Sequence, residues 1–257
     1  MVKNPLTRFL DANRRASRAL ESIVPIARQG QYAGFDTRVR AEIVRREHPI
    51  VLDVGGGKRL SFDRPDHQHT VIALDISPAE LIQNDAADHR IAADACSPLP
   101  LPDQSVDVLV SRTVMEHLPR VDAFLREARR VLRPGGVMVH YFPAKWAVFS
   151  VLNRLVPHAL ARRVLFALRP DVRHSSGFPA YYQHCAYGAM RRELKAAGVV
   201  SLELSATYYS SRYYEWCTPL YALSVAYESV LAALDLKGLA SYLLVVGMPA
   251  TTAGEAP

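Results

Sequence analysis

Cysteine is scarce in this 257-residue sequence, which contains only Cys96, Cys185 and Cys217. Three widely separated thiols are too few for a disulfide framework, and they lack the paired spacing of a structural zinc site. The scarcity argues against the class of small secreted domains that depend on disulfides. We therefore expect a protein of a reducing compartment.

Long uncharged hydrophobic runs are also missing. No stretch of about 20 residues, the length that a bilayer-spanning helix needs, is free of charges and turn-forming residues. The first residues, MVKNPLTRFL, lack the apolar core of a secretory signal peptide. These absences predict a cytoplasmic protein, and peripheral association with a membrane stays open.

Positive charge is in modest excess. The chain has 31 Lys and Arg residues against 25 Asp and Glu residues, a formal net charge of +6. This balance raises nucleic acid and anionic membranes as partners, although it is also typical of a solvated surface. Because 49% of the residues are hydrophobic, the chain can bury a full core, and its length fits one large domain with additions.

Residues 1–48 are predicted to form a helical segment. Apolar residues recur on one face of the first helix, and arginines dominate the rest. Two interpretations stay open: the helix packs its apolar face on the domain, or it lies on an anionic membrane surface near a lipid-like substrate. A second helix is predicted over 36–47, with Asp36 as its N-cap.

The sequence VLDVGGGK at residues 51–58 predicts a short buried strand that ends in a turn of three glycines. Three successive residues without side chains indicate that the backbone comes close to a ligand or to another segment. A second strand, VIALDIS at 71–77, carries Asp75 twenty residues after Gly55. An acid at about this distance binds ribose hydroxyls in βαβ nucleotide-binding units.

Strand-like and helix-like segments alternate along the rest of the chain. Strands are predicted over 89–96, 106–111, 137–143, 199–208 and 241–248, and helices over 121–133, 186–197 and 219–235. The strand at 106–111 is nearly all apolar, as expected of a strand that is buried on both faces. This alternation is typical of a doubly wound parallel sheet in an α/β fold.

Five motifs in order resemble the class I S-adenosylmethionine-dependent methyltransferases, specifically the methyltransferase type 11 group: VLDVGGG, LDIS, AADA, LPLPDQSVDVLVSRTVMEHL and LRPGG. The resemblance covers about residues 48–145. It implies a Rossmann-like sheet of seven strands, mostly parallel with an antiparallel last strand, and a helical insertion after the fifth strand. It also implies S-adenosylmethionine as the cofactor. The alternative, a nicotinamide dinucleotide, needs a third glycine where this chain has Leu60.

The resemblance implies that the glycine turn binds the methionine portion of the methyl donor. Asp53, Gly55 and Gly57 match its D-x-G-x-G pattern, with Gly56 between the two glycines. The backbone approaches the donor at the glycines, and the acid orients the cationic end. Asp75 matches the acid that binds the ribose hydroxyls.

Other strand ends match the rest of the donor site. Ile76 follows the ribose-binding acid and belongs to the predicted cofactor site. Asp94 and Ala95 match the pair that binds the adenine, the first through its carboxylate and the second through its backbone N–H. Ser111 and Arg112 end the fourth strand and are predicted to face the donor and the transferred methyl group.

The segment after the glycines departs from the family pattern. Lys58 and Arg59 replace small residues, and Pro65 interrupts the stretch where a long helix is usual. The helix is therefore predicted to be short or replaced by a loop.

Methyl transfer needs a protein base only if the acceptor must lose a proton, as a hydroxyl does. The candidates are His117, His140, His174 and His184, and His117 is the first choice because it lies just past the fourth strand. The alternative is that Glu116 and His117 cap a helix or pair structurally.

Some quinone-pathway relatives carry another acid three residues before an equivalent Glu-His pair, and that acid helps to hold a metal. This chain has Thr113 at that place. No bound metal is therefore predicted.

The acceptor site is predicted in insertions at about 144–184 and 208–221 of a methyltransferase domain that spans 49–257. Aromatic residues in these insertions are candidates to line it, either as stacking surfaces or, in the alternative, as internal packing. The candidates are Trp146, Tyr181, Tyr182, Tyr213 and Trp216.

The acceptor class follows from what comes after the fourth strand. The sequence SRTV replaces the Asn/Asp-Pro-Pro-aromatic motif of nucleic-acid N-methyltransferases, and none of the cysteines lies where a cytosine C5 enzyme has its nucleophile. We therefore expect a small-molecule acceptor, hydroxylated, lipid-linked, saccharide-like or polyketide-like, that is methylated on oxygen. The alternatives are an RNA methyltransferase and an S-adenosylmethionine-binding protein without transfer activity. The sequence does not predict an oligomeric state.

Overall fold

A computed structural model describes residues 5–28, 32–155 and 178–250 of the chain. Its helices are α1 (Pro5–Ile23), α2 (Pro25–Arg28), α3 (Ala33–Val44), α4 (Pro78–Leu81), α5 (Val121–Val131), α6 (Val148–Leu155), α7 (Tyr187–Ala196) and α8 (Thr218–Ala233). Its strands are β1 (Ile50–Val54), β2 (Thr70–Asp75), β3 (His89–Ala92), β4 (Val106–Arg112), β5 (Leu132–Pro143), β6 (Val199–Thr207) and β7 (Tyr242–Pro249).

The seven strands form one sheet in the order β3-β2-β1-β4-β5-β7-β6. Strands β1 to β5 are parallel to their neighbours, with Asp53 opposite Ala73 on one side and Val110 on the other. Strands β6 and β7 run antiparallel, since the Ser241 N–H donates to Thr207 O at one end and the Ala250 N–H donates to Gly198 O at the other. The predicted fold class is confirmed.

The apolar sequence of β4 and its place in the middle of the sheet explain why this strand is buried. In β4, Val108, Leu109 and Val110 are fully buried, because β1 and β5 flank this strand within the sheet. Helix α5 buries Phe124 and Leu125 with other apolar residues at helical spacing. The apolar segments found in the sequence therefore form the core.

Several boundaries differ from the predictions. Helix α3 begins at Ala33, so Asp36 lies in its first turn and is not the N-cap that the sequence predicted. Strand β5 begins at Leu132, earlier than predicted, because the Pro-Gly-Gly segment extends the strand with a register shift opposite Val106 and Val108. Residues 55–69 form a loop, as the sequence indicated.

The chain divides into two compact units, and each is described separately. The first unit comprises Met1–Ala33, Trp146–Phe178 and Ala206–Tyr242, and the second comprises Gly34–Lys145, Pro179–Ser205 and Leu243–Pro257. The predicted boundary between 1–48 and 49–257 stays a prediction. Among the described residues, every helix is too short or too polar to traverse a bilayer.

The first unit has its own core and its own helix cap. Tyr209, Tyr221 and Val225 pack around Ala27. The side chain of Asn13 in α1 accepts a hydrogen bond of 2.9 Å from the Thr218 N–H at the start of α8. This bond satisfies one of the free N–H groups of the helix N-terminus and fixes α1 against α8.

Replacing Leu109 by Ala tests the central position of β4. Because the side chain is fully buried, the cavity should lower the free energy of unfolding by about 2–5 kcal/mol, measured by urea denaturation. Val200→Ala on the exposed face of β6 is the control and should change it by no more than about 0.5 kcal/mol. Equal losses in the two variants would contradict the assignment of β4 to the core.

Candidate donor and acceptor site

The glycine turn follows β1 directly and is held by β2. The N–H groups of Gly55 and Gly56 both donate to Leu74 O, at 2.7 and 3.2 Å. Gly55 has a φ of +78°, and a Cβ there would lie 2.3 Å from Val114 Cγ2. Only glycine meets both requirements, the left-handed backbone and the close approach.

The turn continues at Gly57, which faces two carboxylates. Its N–H donates to Asp75 Oδ2 at 3.1 Å, while the Ser77 N–H donates to Asp75 Oδ1 at 2.8 Å. A Cβ on Gly57 would lie 2.9 Å from Glu80 Oε2. Asp75 therefore lies where the sequence predicted, at the carboxyl end of β2 beside the turn. The sequence reasoning missed Glu80, because nothing in the spacing singles it out.

Asp53 lies beneath the turn and is fully buried. Ser61 donates to both of its carboxylate oxygens, through its N–H at 2.8 Å and through its hydroxyl. Burial raises the pKa of Asp53 to about 7, although the hydrogen bonds from Ser61 oppose the shift. Asp53 thus anchors the loop after the glycines, and its predicted role toward the cationic end of the donor stays a prediction.

Asn84 is a second buried support that the sequence did not reveal. Its side-chain amide donates to Gly56 O at 2.5 Å, and Arg90 donates to its backbone carbonyl. Its Oδ1 atom is buried and has no hydrogen-bond partner within the described part of the chain. A single Asn in a polar stretch carries no motif, so only the fold identifies this contact.

The end of β3 brings the predicted adenine pair next to Asp75. The Ala93 N–H donates to Asp75 O, so the two strand ends are adjacent. Asp94 is exposed and accepts the Cys96 N–H at 2.8 Å, while Ala95 is buried. Ile76 is exposed directly after Asp75. The predicted ribose and adenine residues therefore share one edge of the sheet.

Ser111 and His140 form a buried pair at the ends of β4 and β5. Ser111 Oγ lies 2.7 Å from His140 Nδ1. Burial lowers the pKa of His140 to about 3, so the ring is neutral at physiological pH. Because the side chain of His140 is enclosed in the core, this histidine does not fit a base that meets a substrate. The predicted contact between Ser111 and the donor stays a prediction.

Arg112 is partly exposed and lies beside helix α3. Its Nη1 atom is 3.8 Å from Asp36 Oδ1, and its guanidinium lies 5.9 Å from the centre of the Phe35 ring. Burial raises the pKa of Asp36, and the charge of Arg112 opposes the shift. The sequence did not place Asp36 and Phe35 near the end of β4.

Glu116 and His117 lie in a 3₁₀ turn after β4. Glu116 is buried, and burial raises its pKa to about 8. Burial also lowers the pKa of His117. Glu116 Oε1 and His117 Nε2 are 3.8 Å apart, and both groups are neutral at pH 7, so the pair is not a salt bridge.

The tautomer of His117 follows from its partner. His117 Nδ1 lies 2.9 Å from the carbonyl oxygen of Pro179. Since a carbonyl only accepts hydrogen bonds, Nδ1 carries the proton in the neutral ring and Nε2 carries the lone pair. This imidazole can take up a proton at Nε2.

The loop that carries Tyr181 and Tyr182 is fixed to the same turn. Both backbone N–H groups donate to Glu116 O, at 2.7 and 3.0 Å. The Tyr181 side chain is exposed, whereas the Tyr182 side chain is buried and this residue has a φ of +51°. Tyr181 therefore suits the predicted contact with an acceptor better than Tyr182 does.

The remaining aromatic candidates belong to the first unit. The Tyr213 ring stacks on Phe149 at 4.8 Å, and its hydroxyl lies 3.1 Å from the Tyr242 hydroxyl. Trp216 Nε1 donates to Tyr213 O, and Trp146 is exposed with Arg154 over its ring. These contacts favour the interpretation of Tyr213 as an internal brace, and the acceptor-binding role of the three aromatic residues stays a prediction.

The other histidine candidates have simpler outcomes, and the absence of a metal stays a prediction. His184 Nδ1 lies 3.0 Å from Glu193 Oε1, while His174 lies outside the described residues. In the part of the chain that the structure describes, no group of three or more His, Cys, Asp or Glu side chains is arranged to hold a metal ion.

Comparison with known proteins finds one matching family model and several similar proteins. Residues 52–140 match the family model described as a methyltransferase domain. A probable S-adenosylmethionine-dependent methyltransferase from Mycolicibacterium smegmatis is 41% identical over 92 residues, 35% of this chain and 36% of the relative. A malonyl-[acyl-carrier protein] O-methyltransferase from Methylococcus capsulatus is 28% identical over 69% of this chain and 56% of the relative. The chain thus spans about a third to about half of the length of these two relatives.

A solved structure supports the fold. The phosphoethanolamine N-methyltransferase 2 of Haemonchus contortus, in complex with S-adenosylmethionine, matches 85% of this chain and 53% of its own chain. The TM-score is 0.53 and the identity is 13%. At this identity the likeness concerns the fold alone.

The fold and the strand-end residues of the segment 52–140 are similar to those of S-adenosylmethionine-dependent methyltransferase domains. Residues 52–140 belong to the methyltransferase domain family whose model they match. S-adenosylmethionine is the cofactor named for the relative from Mycolicibacterium smegmatis. The site fits this cofactor, because a side chain at Gly57 would fill the space beside Asp75 and Glu80.

The buried carboxyl of Glu116 makes stability depend on pH. An acid with a pKa of about 8 in the folded state and an ordinary pKa near 4.5 when unfolded binds its proton more tightly in the fold. The free energy of unfolding should therefore fall as pH rises between these values, by up to about 1.4 kcal/mol per pH unit. Glu116→Gln should weaken this fall, measured by urea denaturation at several pH values.

The control for that measurement is Glu203→Gln, which changes an exposed carboxylate. It should keep the pH dependence of the unmodified protein. Buried Asp53 contributes in the same direction up to about pH 7, so Glu116→Gln should reduce the dependence without abolishing it. An unchanged slope in Glu116→Gln would contradict the buried neutral carboxyl.

Proposed function

We propose that this protein methylates an oxygen atom of a small-molecule acceptor. The observation that carries the proposal is His117, held in the tautomer that accepts a proton at Nε2. S-adenosylmethionine supplies a methyl group on a positively charged sulfur. Because the sulfur leaves as a neutral thioether, the protein needs to position the reactants and to remove one proton from the acceptor.

In this proposal, the turn of Gly55, Gly56 and Gly57 holds the methionine portion of the donor. The carboxylate of Asp75 accepts hydrogen bonds from the ribose, and Asp94 accepts from the adenine amine. The support is their placement at neighbouring strand ends. The family match of residues 52–140 supports the same assignment.

His117 Nε2 is proposed to take the acceptor proton. The lowered pKa of His117 supports this role, because it leaves the ring neutral at pH 7. Glu116 is neutral at the same pH, so it does not hold a proton on the imidazole by charge attraction. The reaction rate should therefore decline as pH falls below the ordinary histidine pKa of about 6.5.

The acceptor class follows from the segment beside His117 and from one relative. Tyr181 is exposed, and its backbone is bonded to the residue before His117, so its ring suits contact with a hydroxylated, lipid-linked, saccharide-like or polyketide-like molecule. The relative that is named a malonyl-[acyl-carrier protein] O-methyltransferase supports oxygen as the acceptor atom. A carboxylate acceptor has no proton to lose and would not need His117.

Three alternatives have no specific observation in their favour. They are RNA methylation, donor binding without transfer, and membrane contact through α1.

Asp75→Ala tests the donor site. Removing the carboxylate should weaken S-adenosylmethionine binding by about 10- to 100-fold, because hydrogen bonds to a charged group contribute roughly 1.5–3 kcal/mol. Isothermal titration calorimetry measures this change. Asp85→Ala, which removes an almost fully exposed acid, is the control and should bind as the unmodified protein does. No binding by the unmodified protein would overturn the assignment.

His117→Gln tests the base. With labelled S-adenosylmethionine and an acceptor found by screening hydroxylated metabolites, methyl transfer should slow by about 100-fold or more, while donor binding stays unchanged. His184→Gln is the matched control and should keep its rate. If His117→Gln transfers methyl groups at the normal rate and with the normal pH profile, His117 is not the base.

A further inference from the structure

Glu80 places a second carboxylate beside the glycine turn, next to that of Asp75. A Cβ on Gly57 would lie 2.9 Å from Glu80 Oε2 and 3.4 Å from Asp75 Oδ2. Both acids are partly exposed, so a bound molecule can reach them. The fold thus brings two carboxylates to the same side of one glycine, whereas the motifs of the sequence account for only one of them.

The position of Glu80 is fixed by the short helix α4. Ser77 caps this helix, since its side chain accepts a hydrogen bond of 3.3 Å from the Glu80 N–H. The Ser77 N–H in turn donates to Asp75 Oδ1 at 2.8 Å, which links the cap to the first acid. The next residue, Leu81, belongs to a small buried cluster with Ala73 of β2. Contacts on both sides of Glu80 therefore hold it at the turn.

The two carboxylates lie together without a cationic partner. No Lys or Arg at a described position forms an ion pair with Asp75 or Glu80. A helix that began at the turn would direct the positive end of its dipole toward them, but residues 55–69 form a loop. Because like charges side by side repel each other, a cation bound next to them is favoured. This part of the cradle therefore suits a positively charged ligand.

We propose that Glu80 is a specificity-determining residue of the donor site, which raises the affinity for positively charged S-adenosylmethionine relative to the neutral thioether S-adenosylhomocysteine. This inference rests on the proposed function, in which the turn holds the methionine portion and Asp75 holds the ribose. Because the sulfur atom joins these two portions, the proposed placement brings it next to Gly57, where Glu80 lies. The carboxylate of Glu80 attracts a sulfonium and has no such attraction for a thioether.

The preference would also help the product to leave. Transfer of the methyl group removes the positive charge from the sulfur, so the attraction to Glu80 ends once the reaction is complete. Hydrogen bonds between Asp75 and the ribose cannot act in this way, because the ribose is the same in donor and product. Glu80 therefore distinguishes the two molecules by charge, and Asp75 holds both.

The size of the effect follows from the exposure of the groups. Charge pairs that are open to solvent interact weakly. Lys58 and Arg59 follow the turn, and their positive charges reduce the attraction further. We therefore expect Glu80 to change the ratio of the two affinities by about threefold to tenfold.

Isothermal titration calorimetry of the full chain with both ligands tests the proposal. Glu80→Gln removes the charge and keeps the shape of the side chain. It should weaken the binding of S-adenosylmethionine by about threefold to tenfold and change that of S-adenosylhomocysteine by less than about twofold. Glu80→Asp keeps a carboxylate and should retain part of the preference. Added salt should reduce the difference between Glu80→Gln and the unmodified protein, because mobile ions screen exposed charges.

Asp85→Asn is the matched control, because it removes a negative charge at a side chain that is 97% exposed in the segment after α4. It should bind both ligands as the unmodified protein does. All variants should keep the urea midpoint, since the altered side chains are exposed or partly exposed.

Two results would overturn the proposal while leaving the donor site intact. Equal weakening of both ligands in Glu80→Gln would show that Glu80 binds a part that donor and product share. Unchanged binding of both ligands would show that Glu80 does not act on the donor. Failure of the proposed function itself has a different signature, because the unmodified protein would then bind neither ligand, and both proposals would fall.

Discussion

The glycine turn at the end of β1 packs closely against the end of β2 and against the segment after β4. This packing determines the geometry of the site. Gly55 adopts a left-handed conformation, donates to the carbonyl of Leu74, and leaves no space for a Cβ beside Val114. Val114 immediately precedes the 3₁₀ turn that holds His117. The missing side chain therefore fixes the distance between the predicted donor site and the proposed base. A larger residue at position 55 would move both parts at once.

Three buried ionisable groups of the same unit have strongly shifted pKa values. Burial raises the pKa of Asp53 to about 7 and that of Glu116 to about 8, and it lowers the pKa of His140 to about 3. Charged groups are costly to bury without a partner, whereas neutral ones need only hydrogen bonds. Asp53 obtains them from Ser61 and so orders the loop after the glycines. A neutral Glu116 also adds no negative charge of its own next to His117.

The local pattern of the sequence was enough to predict the sheet and the main strand-end residues. An apolar strand, a glycine turn and an acid at a fixed distance are local signals, and Gly55, Gly57 and Asp75 lie together as these signals imply. The contacts of Glu80 and Asn84 with the turn could not be predicted, because they depend on how distant segments pack. For the same reason, the sequence showed Asp53 as an acid of the motif and did not reveal its partner.

The central claim is that the carboxyl ends of β1, β2 and β3 hold the methyl donor. A crystal structure of the protein with S-adenosylhomocysteine tests this claim most directly. We predict that the amino-acid end of the ligand lies on the turn of Gly55–Gly57, with the ribose hydroxyls at the carboxylate of Asp75 and the adenine next to Asp94. A ligand bound elsewhere on the chain, or an empty turn at saturating concentration, would contradict the claim.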